Sequence, residues 1–123
     1  MENKIRKERI TMIRNYVKSW LDADKEKFLL VLSEDVFIRE CYGAERKGRE
    51  ESGKWFEEWN GGENTVISWK ILNEFYDEKK DTVFINWDFR CKYMGEVSEF
   101  LGSSIAEFKN DKIYRLYEYE MKK

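Results

Sequence analysis

The chain has 123 residues, 41% apolar, 39% charged and 16% aromatic, enough for one domain that hides roughly two thirds of the unfolded chain's surface. Its 25 acidic and 23 basic residues are spread along the sequence, so no basic field suits a polyanion and nucleic acid is excluded as an expected partner. Lys4, Arg6, Lys7, Glu8, Arg9 and Arg14 rule out the apolar stretch of a secretory signal. The longest aliphatic run, 28–32, is too short to cross a bilayer, so the expected location is cytoplasmic, with no membrane partner.

In chain order, Ile10, Ile13, Tyr16, Val17, Trp20 and Leu21 recur at the three-and-four spacing of a helix over 5–21 with one buried face. Asp24 is placed to cap a second, short helix in which Phe28, Leu29 and Leu32 repeat the pattern until Ser33, Glu34 and Asp35 end it. A strand is expected over 36–42. Gly43 and Gly48 bracket a loop, and Ser52, Trp55, Phe56 and Trp59 line one side of a third helix that Gly61 and Gly62 terminate.

Everything beyond reads as strand. Alternation places Val83, Ile85, Trp87, Phe89, Cys91 and Tyr93 on one face, and Ile67, Trp69, Ile71 and Phe75 repeat it in the preceding segment, interrupted by Asn73. A turn at Gly95 and Glu96 would oppose Cys91 to Phe100, Phe89 to Gly102, Trp87 to Ser104 and Ile85 to Ala106, large residues against small, with Lys92 beside Glu99. A last turn at Asn110 and Asp111 would oppose Phe108 to Ile113, Ala106 to Arg115 and Ser104 to Tyr117. That register puts Ile105 and Leu116 together on the outer face. The expected fold class is α+β: three helices, then an antiparallel meander. With no repeat, no linker and no proline, residues 1–123 are expected to form one domain.

This order of elements, with the run from Glu34 to Glu40, the glycine of Gly48-Arg49-Glu50, and Phe100-Leu101-Gly102 followed by Phe108 and Lys112-Ile113, resembles the SnoaL-like branch of the nuclear transport factor 2-like superfamily. The resemblance spans nearly the whole chain. It implies a cystatin-like cone in which a strongly curved sheet wraps the helices around an internal pocket, commonly in homodimers packed through the outer sheet face. It does not imply one activity, because such proteins include isomerases, cyclases, dehydratases, epoxide hydrolases and simple binders. Leu101 stands where the family frequently has aspartate, and Glu40 where an aspartate is common.

With no histidine, acid–base work falls to carboxylates, tyrosines, cysteines or lysines, and the commonest metal ligand is missing. No compact carboxylate cluster replaces it, so neither metal nor cofactor is expected. Glu40 shares a face with Val36 and Ile38, where it is either a desolvated general base or a strand-end carboxylate paired with a cation. Arg115 is either its partner or a clamp for a substrate carboxylate, unless a bulge turns Arg115 outward and brings Leu116 and Glu118 in. Tyr93, Tyr117 and Tyr119 offer hydroxyls to an oxyanion or serve as amphipathic core. Cys91 is a nucleophile or an inert buried thiol, and Asn73 an orienting amide or a strand end.

The expected pocket lies over Gly102, Ser104 and Ala106, among Trp55, Phe56, Trp69, Trp87, Phe89, Cys91 and Tyr117. It would take a small apolar or amphipathic ligand, as a binder or as an isomerase, lyase or hydrolase. The alternative is a homodimerisation module whose interior is closed by its own side chains.

Overall fold

The computed structural model describes residues 2–122. Helix α1 (Glu2–Asp22) leads through the short α2 (Lys25–Leu30) into strand β1 (Leu32–Arg39). A three-residue strand β2 (Glu45–Lys47) precedes α3 (Arg49–Gly61), and four long strands follow: β3 (Thr65–Asp77), β4 (Thr82–Tyr93), β5 (Glu96–Lys109) and β6 (Lys112–Lys122). The sheet runs β2-β1-β6-β5-β4-β3. Every neighbouring pair is antiparallel except β1 and β6, which run parallel. No described helix is long and apolar enough to cross a membrane.

The helices form where periodicity places them. Ile10, Ile13, Tyr16, Val17 and Trp20 are buried on α1, each worth roughly 1.5–3 kcal/mol of burial, whereas Leu21 has rotated to 40% exposure. The Asp24 side chain accepts from the Lys27 N–H and caps α2. Strand β1 starts earlier and ends sooner than the apolar pattern suggests, and the stretch expected to be a loop pairs back onto it as β2. Gly48, at φ +86°, opens α3 without a side-chain cap, and the Glu51 carboxylate takes the Lys47 N–H instead.

The sheet departs from the expected pairing in three places. Ile67 and Leu72 sit at register shifts in β3, so the inward residues are Val66, Trp69, Ile71, Glu74 and Tyr76. Phe75, expected inside, is 56% exposed, and Ile67 and Asn73 also face out. The β4–β5 turn is Met94-Gly95, both at positive φ as a type I′ hairpin requires, not Gly95-Glu96. Trp87 therefore opposes Gly102, Phe89 opposes Phe100 and Arg90 opposes Glu99. Moving the turn by one residue changes the register by two, so every β4 and β5 side chain keeps its face.

The third departure matters most. The Asn110-Asp111 turn and the Phe108–Ile113 pair stand as expected, but a bulge at Tyr114 then shifts β6 by one residue. Leu116 and Glu118 point inward; Arg115, Tyr117 and Tyr119 point out. The outward pair expected at Ile105 and Leu116 is instead Ile105 and Tyr117.

The core closes at the end of the sheet that carries the β3–β4 and β5–β6 turns, where Ile13, Val83, Phe108 and Ile113 pack under α1. There the buried Arg9 guanidinium bonds Asp81 (2.8 and 3.1 Å) and Asp111 (3.0 Å), lies over the Phe108 ring and so ties α1 to both turns. Tyr76 donates its hydroxyl to the same Asp81. The opposite end, where β4 and β6 finish, stays open.

Candidate functional site

At that open end lies a cavity of about 660 Å³. Its walls come from every layer of the fold: Trp20 of α1, Trp55, Glu58 and Trp59 of α3, Val66 and Trp69 of β3, and Trp87, Phe89, Cys91 and Tyr93 of β4. Ser98 and Phe100 of β5 and Glu118 of β6 complete the sheet side, and Glu40, Cys41, Tyr42 and Arg46 bring the β1–β2 connection across the rim. All five tryptophans of the chain line it. They are mutually braced: Trp20 meets Trp55, Phe56 and Trp59, and Trp69 stands edge-on to Trp87 and Phe89. Rigid rings hold a cavity open where flexible aliphatic chains would relax into it.

Several residues expected here lie elsewhere. Gly102 and Ala106 do not leave space beneath the rings. A Cβ on Gly102 would sit 2.6 Å from Trp87 Cζ2 and closer still to Trp87 Cη2 and the Tyr119 carbonyl oxygen. The small residues therefore accept the indole of Trp87 itself, displacing the cavity toward the open end. Ser104 is buried just behind this ring, Ala106 is wholly buried in the core, and Phe56 stacks on Phe28. Asn73 is on the outer face, as are Arg115, Tyr117 and Tyr119 once the β6 bulge has turned them. Tyr117 packs against Phe37 with Arg39 over its ring.

The carboxylates define the polar chemistry. Glu40 lies at the rim as an ion pair, receiving Arg46 Nε at 3.1 Å and Nη2 at 2.7 Å while the same guanidinium covers the Trp55 ring. Arg46, not Arg115, is its partner. Glu118 is the group that strict alternation misses. It projects from β6 beside Trp87, and its single described hydrogen bond comes from Ser104 Oγ at 3.3 Å, which itself accepts the Trp87 indole N–H at 2.9 Å. Burial pushes the Glu118 pKa up to about 7; the Ser104 hydroxyl opposes this and the neighbouring Glu40 reinforces it. Near neutral pH this side chain exchanges its proton readily.

Other polar groups deepen the site. Tyr16, behind Trp69, is held well above its usual pKa by burial and by Glu118, with the Trp20 indole opposing the shift. The indole N–H of Trp69 is buried and has no partner among the described residues, a cost tolerated where a ligand or water completes it. Cys41 and Cys91 both line the cavity, and burial raises both thiols, that of Cys41 further through Glu118 and Glu120. Both are protonated, inert thiols at neutral pH. No group of histidine, cysteine or carboxylate side chains among the described residues is arranged to hold a metal ion.

No family model matches this sequence, and no curated protein matches it. Solved structures do. An LEH-like epoxide hydrolase of M. tuberculosis superposes with a TM-score of 0.82 at 13% identity, covering 94% of this chain and 84% of that one. A candidate polyketide cyclase of Xanthomonas campestris gives 0.77 at 15% identity, covering 94% and 91%. A Catenulispora acidiphila protein of ketosteroid isomerase-like fold, determined in complex with trimethylamine, gives 0.77 at 14% identity, covering 88% and 83%. These likenesses establish the architecture: the chain has a nuclear transport factor 2-like α+β cone fold, with a sheet that does not close.

Proposed function

We propose that this protein binds a small, mostly apolar or amphipathic organic molecule in the cavity at the open end of the cone. The observation that carries the reading is the cavity itself, about 660 Å³ lined by all five tryptophans, with the carboxyl of Glu118 on its wall. A closed core would have left no such space. Structural neighbours of the same fold include an epoxide hydrolase-like protein and a protein holding trimethylamine, in keeping with a fold that encloses small molecules. If the protein is an enzyme, Glu118 is the acid or base, and an isomerase, lyase or hydrolase reaction on a small hydrophobic substrate is the class it serves. A thermal-shift screen of diverse metabolites and hydrophobes tests the binding reading, since a ligand selective for the folded state raises the melting temperature. A screen without a single stabilising compound would sink it.

A second reading concerns assembly and rests on a different surface. Across the outer sheet face, Phe75 pairs with Phe84, Phe84 with Ile105, and Ile105 with Tyr117, beside which Phe37 stands. Phe75 and Phe84 are exposed. This apolar row running across the sheet is the surface through which we propose two copies of the chain associate.

A further inference from the structure

The cavity carries an asymmetry of charge that narrows its ligand. Three carboxylates line it, Glu40, Glu58 and Glu118, and among the described lining residues Arg46 is the sole cation. That guanidinium is already doubly bonded to Glu40 and stacked on Trp55. Glu118 has a hydroxyl donor in Ser104 but no cation within ion-pair distance among the described residues. Trp69, Trp87, Phe89 and Phe100 line the same cavity and pack on one another as an aromatic wall. Ring faces attract cations and repel anions. A ligand acid would meet unneutralised carboxylates and electron-rich rings, whereas a ligand ammonium meets both a counter-ion and a cage. Trp69 lines the same space, and its buried indole N–H has no hydrogen-bond partner among the described residues.

We propose that the molecule held in this pocket is an organic cation, a protonated amine on an apolar body, with its ammonium group against Glu118 and its body among the tryptophans. This rests on the ligand-binding reading above and specifies its chemical class. Glu118 feels Tyr16 from α1 and Glu40 and Cys41 after β1; Tyr42, Arg46 from β2, Glu58 from α3, and Cys91 and Tyr93 from β4 line the same cavity, with Glu120 of β6 acting on Cys41. The two thiols and Tyr16 stay protonated through neutrality, so Glu118 dominates. Ammonium binding requires its ionised form and therefore strengthens as the pH rises through its pKa near 7.

The test is calorimetric titration of the full chain with three matched probes: phenylbutylamine, phenylbutanol and phenylbutanoate. The amine remains charged up to about pH 8.5, so a change in its affinity below that reports the protein. At that pH the amine is expected to bind about tenfold or more tightly than the alcohol, and the acid most weakly. Amine affinity is expected to fall about tenfold by about pH 5.5, with the alcohol nearly unchanged. Glu118→Gln, which keeps the shape and the acceptor for Ser104, is expected to bring amine and alcohol within about twofold of one another. The wild-type comparison and pH profile decide the matter even if that variant folds poorly. Alcohol binding as tightly as amine, acid binding tightest, or a preference that survives Glu118→Gln would overturn the cationic assignment while leaving a ligand pocket. No heat from any probe at millimolar concentration would overturn both.

Discussion

Replacing Glu118 by glutamine isolates the energetic consequence of placing a carboxyl in an aromatic cavity. Its pKa is raised from 4.5 to about 7, with burial the leading cause. The folded state thus holds a proton that the unfolded chain releases. The stability this contributes is fully present below pH 4.5 and is lost progressively as the pH rises through about 7. Each pKa unit corresponds to about 1.4 kcal/mol, so the full loss is about 3.5 kcal/mol, and water entering the cavity trims it to about 2 kcal/mol. Glutamine is neutral throughout, accepts from Ser104 as the carboxyl does, and fills the same volume. The variant should therefore match the wild type within about 0.5 kcal/mol near pH 4.5 and exceed it by about 2 kcal/mol near pH 8. Urea unfolding monitored by tryptophan fluorescence at a series of pH values reads this difference directly. Two profiles that run parallel between pH 4.5 and pH 8 would refute the reasoning, because the only titration distinguishing the proteins would then be silent.

Gly102→Ala should destabilise the fold by about 2 kcal/mol by forcing a methyl into the Trp87 ring and the Tyr119 carbonyl; pairing it with Trp87→Phe, which removes the benzo ring it strikes, should cost less than the sum of the two single changes in a denaturation cycle. Arg9→Met should cost about 2 kcal/mol of unfolding free energy, less than a fully buried pair because Asp81 is partly exposed and Asp111 largely so. The same clamp sets the acid limb of stability. Burial opposes ionisation of Asp81, but hydrogen bonds from Arg9 and Tyr76 outweigh it and hold its pKa below 3.8, so stability conferred above that value drains away as the pH falls beneath it, and acid unfolding of Arg9→Met should begin at higher pH. Ile105→Glu, in the centre of the outer apolar row, should leave the melting temperature within a few degrees but convert a dimer to a monomer in sedimentation velocity; an unchanged sedimentation coefficient would remove the support for pairing through this face.

Much of the architecture was legible along the chain. Helix periodicity on Ile10 to Trp20 survives as the buried face of α1 because a helix presents one stripe to the core whatever its partners are. The β4 alternation was equally transparent, since a half-buried strand sorts its side chains by parity alone. The Asn110-Asp111 turn declared itself through residue types that tolerate positive φ. Within the site, Glu40, Trp55, Trp69, Trp87, Phe89, Cys91 and Tyr93 all line the observed cavity. Trp59 could have been added from its helical face, and Trp20 likewise.

What the sequence determined by itself was the three helices, the five longer strands, their order and the aromatic inner face, because these follow from local propensity and period. Tertiary structure decided where parity breaks. In β6 the alternation starting at Ile113 makes Arg115, Tyr117 and Tyr119 inward, and that starting at Leu116 makes Glu118 inward. By hydrophobicity the first choice is the better one. The bulge at Tyr114 settles it the other way, in a strand that must pair antiparallel with β5 and parallel with β1 at once, bringing Leu32 opposite Ile113 and Ile38 opposite Leu116. One inserted residue exchanges the faces of all that follow. It carries a carboxyl into the cavity, sends three polar or amphipathic side chains to the outer surface, and makes Glu118 part of a site that shares only some of its walls with the expected pocket.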